Sequence, residues 1–231
     1  MKKILVLAPV MPEETGMEEI AKSLRFLQKE YLIELLDPLS EPENLSLERY
    51  YQHWGQKLTT YLPRFDAFWG FSFGGIILQH CFPVFSAAKK PVILCSTPSF
   101  IDESLGQKLA RVITLCKEGN LSLAMDALYQ TVYFPNDAPV SYSIKDPSRA
   151  MARLITGLQY VLDTDSRAIL KNTDVDHLHL LGECSNLVNL ANVCMPRTGK
   201  MLTVPGAGMR MLQDNPSFCE QVVWDYLRGT M

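Results

Sequence analysis

The residues that could do chemistry are concentrated in one short stretch, Asp66-Ala67-Phe68-Trp69-Gly70-Phe71-Ser72-Phe73-Gly74-Gly75-Ile76-Ile77. An apolar run leads into a glycine-flanked turn around a single serine, and a second apolar run leaves it. Gly70-Phe71-Ser72-Phe73-Gly74 has the spacing G-x-S-x-G, which carries meaning when a strand precedes it and a helix follows. Small residues two before and two after the serine leave room for a strained backbone at the tip of the turn. The helix that follows directs its first N–H groups and its dipole at the same point, where a negative oxygen develops during attack on an acyl carbonyl. The chemistry implied is a serine nucleophile. The competing reading is an ordinary strand-to-helix connection holding Gly, Ser and Gly by chance.

A serine nucleophile needs a base, and the chain has four histidines to offer. His177 and His179 lie in the run His177-Leu178-His179-Leu180-Leu181-Gly182. At about 3.3 Å per residue that places them roughly 10–17 Å below the sheet edge, in the core. His80 is two helical turns beyond the serine, about 12 Å along the axis at 1.5 Å per residue. His53 sits in the stretch before the serine's strand, where a surface role is expected. None is a good base.

Positioning such a serine requires a sheet, and the hydrophobic periodicity supplies one. Short apolar runs at 3–9, 32–38, 65–72, 90–96, 177–182 and 200–206 read as buried strands, and amphipathic stretches at 16–27, 45–62 (interrupted by Gly55), 73–85 and 216–229 read as helices between and after them. Strand and helix in alternation predict an α/β fold with a parallel sheet covered on both faces. Residues 103–170 break the pattern, with helical stretches near 104–117, 121–132, 146–161 and 163–171 and no strand. The expected organisation is a core of residues 1–102 and 171–231 with a helical lid, 103–170, inserted into it.

Composition narrows the function classes. At 231 residues and 47% hydrophobic, the chain has the size and makeup of one folded α/β unit. The net charge is −3 and no Lys/Arg-rich run occurs, so neither nucleic acid nor an anionic membrane surface is an expected partner. No apolar run approaches 18 residues, and no membrane span is expected. Cys81, Cys95, Cys116, Cys184, Cys194 and Cys219 lack the paired spacing of a metal site, and most sit among apolar neighbours and read as reduced core residues, which makes the cytoplasm the expected compartment. The opening run ends in Pro12-Glu13-Glu14 and reads as a first strand. No cofactor or metal is called for.

With these motifs in view, the chain resembles the α/β-hydrolase superfamily over nearly its whole length. Lys3-Ile4-Leu5-Val6-Leu7-Ala8-Pro9-Val10-Met11 resembles the strand and loop that supply oxyanion donors, 66–75 the nucleophile elbow, 103–170 the lid, 177–188 the approach to the acid, and 201–210 the approach to the histidine. Within that superfamily it is most similar to small lidded acyl-ester and acyl-thioester hydrolases. The resemblance makes Ser72 the nucleophile and the N–H groups of Val10, Met11 and Phe73 the oxyanion donors. It places the acid at Ser185, three residues past Gly182, and the histidine at Met209, after Pro205-Gly206-Ala207-Gly208. Neither residue can do that work. Methionine takes up no proton at useful pH, and a serine hydroxyl does not charge-stabilise an imidazolium. Asp102 and Glu183 are alternative acids, although Asp102 also suits the cap of the helix that follows it.

Two functional expectations follow. One is an esterase, thioesterase or acyltransferase acting through Ser72 on a small acyl ester or thioester, free or carrier-bound, with a degenerate triad. The other is a non-catalytic member of the same fold that binds an acyl or aromatic ligand or a partner enzyme.

Overall fold

The computed structural model describes residues 1–40, 45–140 and 143–231. Six strands, β1 (Lys2–Leu7), β2 (Tyr31–Leu36), β3 (Ala67–Phe71), β4 (Val92–Cys95), β5 (His177–Gly182) and β6 (Lys200–Val204), form one sheet in the order β2-β1-β3-β4-β5-β6. Every pairing is parallel. The inner strands are buried on both faces, as their uninterrupted apolar runs require. Alternation along each strand divides the core in two. Leu5, Leu7, Phe68, Val92 and Leu94 face one layer, and Ile4, Val6, Trp69, Ile93 and Cys95 face the other.

The first layer holds α2 (Leu47–Tyr61), α3 (Phe73–His80) and α4 (Phe82–Phe85), and the second holds α1 (Met17–Ser23), α9 (Met211–Asp214) and α10 (Pro216–Leu227). Ser46 caps α2 by accepting the Arg49 N–H, and Gly55 passes through that helix without interrupting it. The helical stretch expected over 73–85 divides at Cys81, because Pro83 has no N–H to continue the ladder.

Between β4 and β5 come α5 (Glu103–Lys117), α6 (Leu121–Val132), α7 (Pro147–Leu162) and α8 (Arg167–Asn172). Asp102 and Asp146 cap α5 and α7 by accepting the Leu105 and Arg149 N–H groups at 2.8 and 2.9 Å. The apolar faces of α5, α6 and α7 pack into the first core layer. Among the described residues no helix is long and apolar enough to cross a membrane.

Candidate active site

Ser72 stands between β3 and α3 with φ 46° and ψ −109°, a left-handed backbone that a side-chain-bearing residue adopts at a cost of about 1–3 kcal/mol. Its N–H donates to the Cys95 carbonyl at 2.9 Å and its carbonyl accepts the Ile76 N–H at 3.0 Å, so the turn is locked at both ends. The flanking glycines are demanded by backbone approach. A Cβ at Gly74 would lie 2.2 Å from the Leu7 carbonyl oxygen, and one at Gly70 would lie 2.4 Å from the Gly75 Cα. The serine is half-buried, and α3 begins at the next residue with its first N–H groups unpaired within the helix.

Ser72 lines a cavity of about 590 Å³. Val10 and Met11, in the loop after β1, line it too, and among the described residues their N–H groups make no hydrogen bond. Leu105 and Leu109 of α5, Leu128 of α6 and Leu158 of α7 form an apolar ceiling, and Met209 faces the same space from the loop after β6. At the rim Arg210 stacks over the Tyr133 ring, 4.0 Å from its centroid, and pairs with Glu19 at 3.1 Å. Burial pushes the Tyr133 phenol up, while the Arg210 cation opposes that.

The loops after β5 and β6 pack together. Cys184 N–H donates to the Ala207 carbonyl at 2.8 Å, and a Cβ on Gly182 would lie 2.0 Å from the Gly208 carbonyl oxygen. Ser185 is buried in the first of these loops, its Oγ without a hydrogen-bond partner among the described residues. Met209 belongs to the second, and its carbonyl accepts the Ser96 hydroxyl at 3.1 Å.

Among the described residues no histidine lines the cavity. His177 pairs through Nδ1 with the Val175 carbonyl at 2.7 Å. His179 is buried, and desolvation followed by repulsion from His177 holds its pKa down at about 3. His80 lies flat on Tyr51 at 3.8 Å between ring centroids, and desolvation lowers it to about 4. His53 sits half-buried on α2. The alternative acids are occupied elsewhere. Asp102 Oδ1 caps α5 while Asn192 Nδ2 lies 3.4 Å from Oδ2, and Glu183 Oε2 accepts the Gly206 N–H at 2.8 Å. Among the described residues no group of three or more His, Cys, Asp or Glu side chains could hold a metal ion.

No protein-family model matches the sequence, and no curated protein matches it. Solved structures do. An esterase from Exiguobacterium antarcticum superposes with a TM-score of 0.71 at 15% identity, over 99% of this chain and 92% of that one. The chain has the α/β-hydrolase fold. MGS-M2, an α/β-hydrolase enzyme from a Medee basin deep-sea metagenome, gives 0.72 at 12% identity, over 97% of this chain and 88% of the other. MenH from S. aureus gives 0.61 at 13%, over 99% and 94%.

Within this α/β-hydrolase fold two residues that line the cavity, and a third that holds the loop beside it, escaped the sequence reading. Ser96, at the end of β4, lines the cavity with φ 45°. Its surroundings, Cys95-Ser96-Thr97-Pro98, lack the glycines that drew attention to Ser72. Arg210 was visible only as the residue after Met209. Arg153 could have been noticed as a lone cation on the apolar stripe of Ala150, Leu154 and Gly157.

Proposed function

We propose that this chain accepts an acyl group on Ser72 from a small ester or thioester, free or carrier-bound, and so acts as a serine-hydrolase-like esterase, thioesterase or acyltransferase. The observation that carries this reading is the Ser72 backbone, held at φ 46° against an apolar cavity by residues that leave no alternative packing. Strain of this kind costs about 1–3 kcal/mol and clusters at functional sites. The acyl carbonyl sits over Ser72 with its oxygen toward the Val10, Met11 and Phe73 N–H groups, and the acyl chain lies under the lid. Oγ attacks and gives up its proton to solvent, the acyl-oxygen or acyl-sulfur bond breaks with release of alkoxide or thiolate that solvent protonates, and water or an acceptor alcohol then takes the acyl group and restores the serine hydroxyl.

Met209 and Ser185 stand in for the histidine and acid of the fold's hydrolases, so departure is not assisted by an imidazolium. A thiol, with a pKa near 8.5, departs unassisted far more readily than an alkoxide, which favours thioesters over alkyl esters. Turnover is correspondingly slow. Oxyanion binding and orientation alone leave about 10³–10⁴-fold over water when a triad is lost.

Met209 in the cavity and the absence of a lining histidine among the described residues favour a second reading, a non-catalytic acyl-binding protein. Treatment with a fluorophosphonate probe and mass mapping of the adduct separates the two. Labelling at Ser72, absent from Ser72→Ala, supports the acyl-serine. An unlabelled protein that still binds an acyl ligand establishes the binder.

A further inference from the structure

Arg153 projects from the lid helix α7 into the interior, where it is 7% exposed. Its guanidinium reaches two separate segments, the loop after β1 at Met11 and Glu14 and the end of β2 at Asp37. Nε donates to the Met11 carbonyl at 3.1 Å, Nη2 donates to Asp37 Oδ2 at 2.7 Å, and Nη1 lies 4.0 Å from Glu14 Oε1. Asp37, just past the end of β2, is itself buried and accepts the Leu39 N–H on its other oxygen at 3.0 Å. Two neighbouring contacts run the same way. Glu13 Oε1 accepts the Lys145 N–H at 2.7 Å immediately before α7, and Arg149 of α7 pairs with Glu14 at 2.6 Å. The segment from Met11 to Glu14 is therefore fastened to the lid helix along its length.

The fork geometry explains the choice of residue. One planar guanidinium donates to a carbonyl and to a carboxylate in different directions at once, which a lysine ammonium on a flexible stem does not reproduce. Fixing the Met11 carbonyl restricts the backbone on which the Val10 and Met11 N–H groups are carried, and both residues line the cavity that Ser72 lines.

We propose that Arg153 is a positioning residue that sets the oxyanion donors of the β1–α1 loop from the lid, so that lid and loop move as one body. This rests on the acyl chemistry proposed for Ser72. Misplacing a catalytic group by about 1 Å costs on the order of 100-fold in rate, whereas apolar contacts with the acyl chain are left in place.

The test uses Arg153→Lys and the double variant Arg153→Met/Asp37→Asn, the latter because it leaves no unpaired buried carboxylate to unfold the chain. Hydrogen exchange is followed in peptides covering 8–16, and fluorophosphonate labelling of Ser72 is resolved into reversible binding and reaction. Exchange over 8–16 rises about tenfold or more in both variants with β3–β5 unchanged. The reaction step slows about 10–100-fold, least in Arg153→Lys, while reversible binding stays within about twofold. Unchanged exchange over 8–16 overturns the proposal, as does a loss confined to binding. If the wild-type protein does not label, the acyl chemistry fails, and exchange alone then decides whether Arg153 holds the loop.

Discussion

Ser72 and Ser96 follow neighbouring strands and both hold a positive φ, 46° at one and 45° at the other. Their predecessors, Phe71 and Cys95, are register partners, so the two strained residues stand side by side on the rim of one cavity. They differ in what their hydroxyls do. Ser96 Oγ donates to the Met209 carbonyl and ties the loop after β6 to the end of β4, while Ser72 Oγ makes no hydrogen bond among the described residues.

Relief of strain should therefore be measurable. Ser72→Gly is expected to raise stability by about 1 kcal/mol in urea unfolding, since glycine adopts this conformation freely and its entropy cost offsets only part of the gain. Ser96→Gly should gain less, because it also loses the bond to Met209. A destabilised Ser72→Gly would show that the turn is not strained.

Two glycine substitutions should move stability in opposite directions. Gly74→Ala drives a Cβ to within 2.2 Å of the Leu7 carbonyl and is expected to cost about 3 kcal/mol or more. Gly55→Ala, inside α2 with nothing within 4 Å of the new atom, should stabilise by about 0.5–1 kcal/mol. Midpoints of chemical denaturation for both variants provide the check.

Restoring the missing groups tests the degenerate-triad reading. Met209→His with Ser185→Asp is expected to raise kcat/KM on p-nitrophenyl butyrate by about 100-fold or more, the usual contribution of a positioned general base. Met209→His alone should gain less, with no carboxylate to fix its tautomer. A folded double variant no faster than wild type would place those loops outside the catalytic arrangement.

Acid should destabilise the fold through its buried histidines. His80 and His179 have folded pKa values lowered to about 4 and about 3, against about 6.5 unfolded, so the unfolded chain binds more protons between those values. Their contribution is complete above pH 6.5 and is lost as pH falls toward 4. His80→Phe keeps the stack on Tyr51, and its stability curve should be shallower than wild type by about 1 kcal/mol per pH unit between pH 6 and 4.5. Parallel curves would mean that His80 is charged in the folded protein.

What was legible in the sequence was whatever depends on near neighbours. The run 177–182 is a strand at those same residues, buried throughout with His177 and His179 sharing one face, and Asp102 caps a helix because its partner is three residues away. The division at Cys81 was legible in principle from Pro83. The Arg153 contacts were not, since Met11 and Asp37 lie 142 and 116 positions away and only the closed sheet brings them within reach. The left-handed backbone at Ser96 carries no mark in its neighbours, and the cavity ceiling is a property of α5, α6 and α7 together.

The sheet order also says how the chain must fold. β4 and β5 are adjacent, yet residues 96–176 separate them, so their pairing closes the longest loop between neighbouring strands. Contacts of such separation form late and slow a chain down. The helices α5, α6 and α7 touch one another extensively and can gather into a local unit that shortens the effective distance to be closed. Closure entropy grows only logarithmically, by about 0.6 kcal/mol per doubling of length. The insertion point between β4 and β5 is thus the place where this architecture can exchange one ceiling for another, altering what the cavity admits while the six-stranded floor and its serine stay as they are.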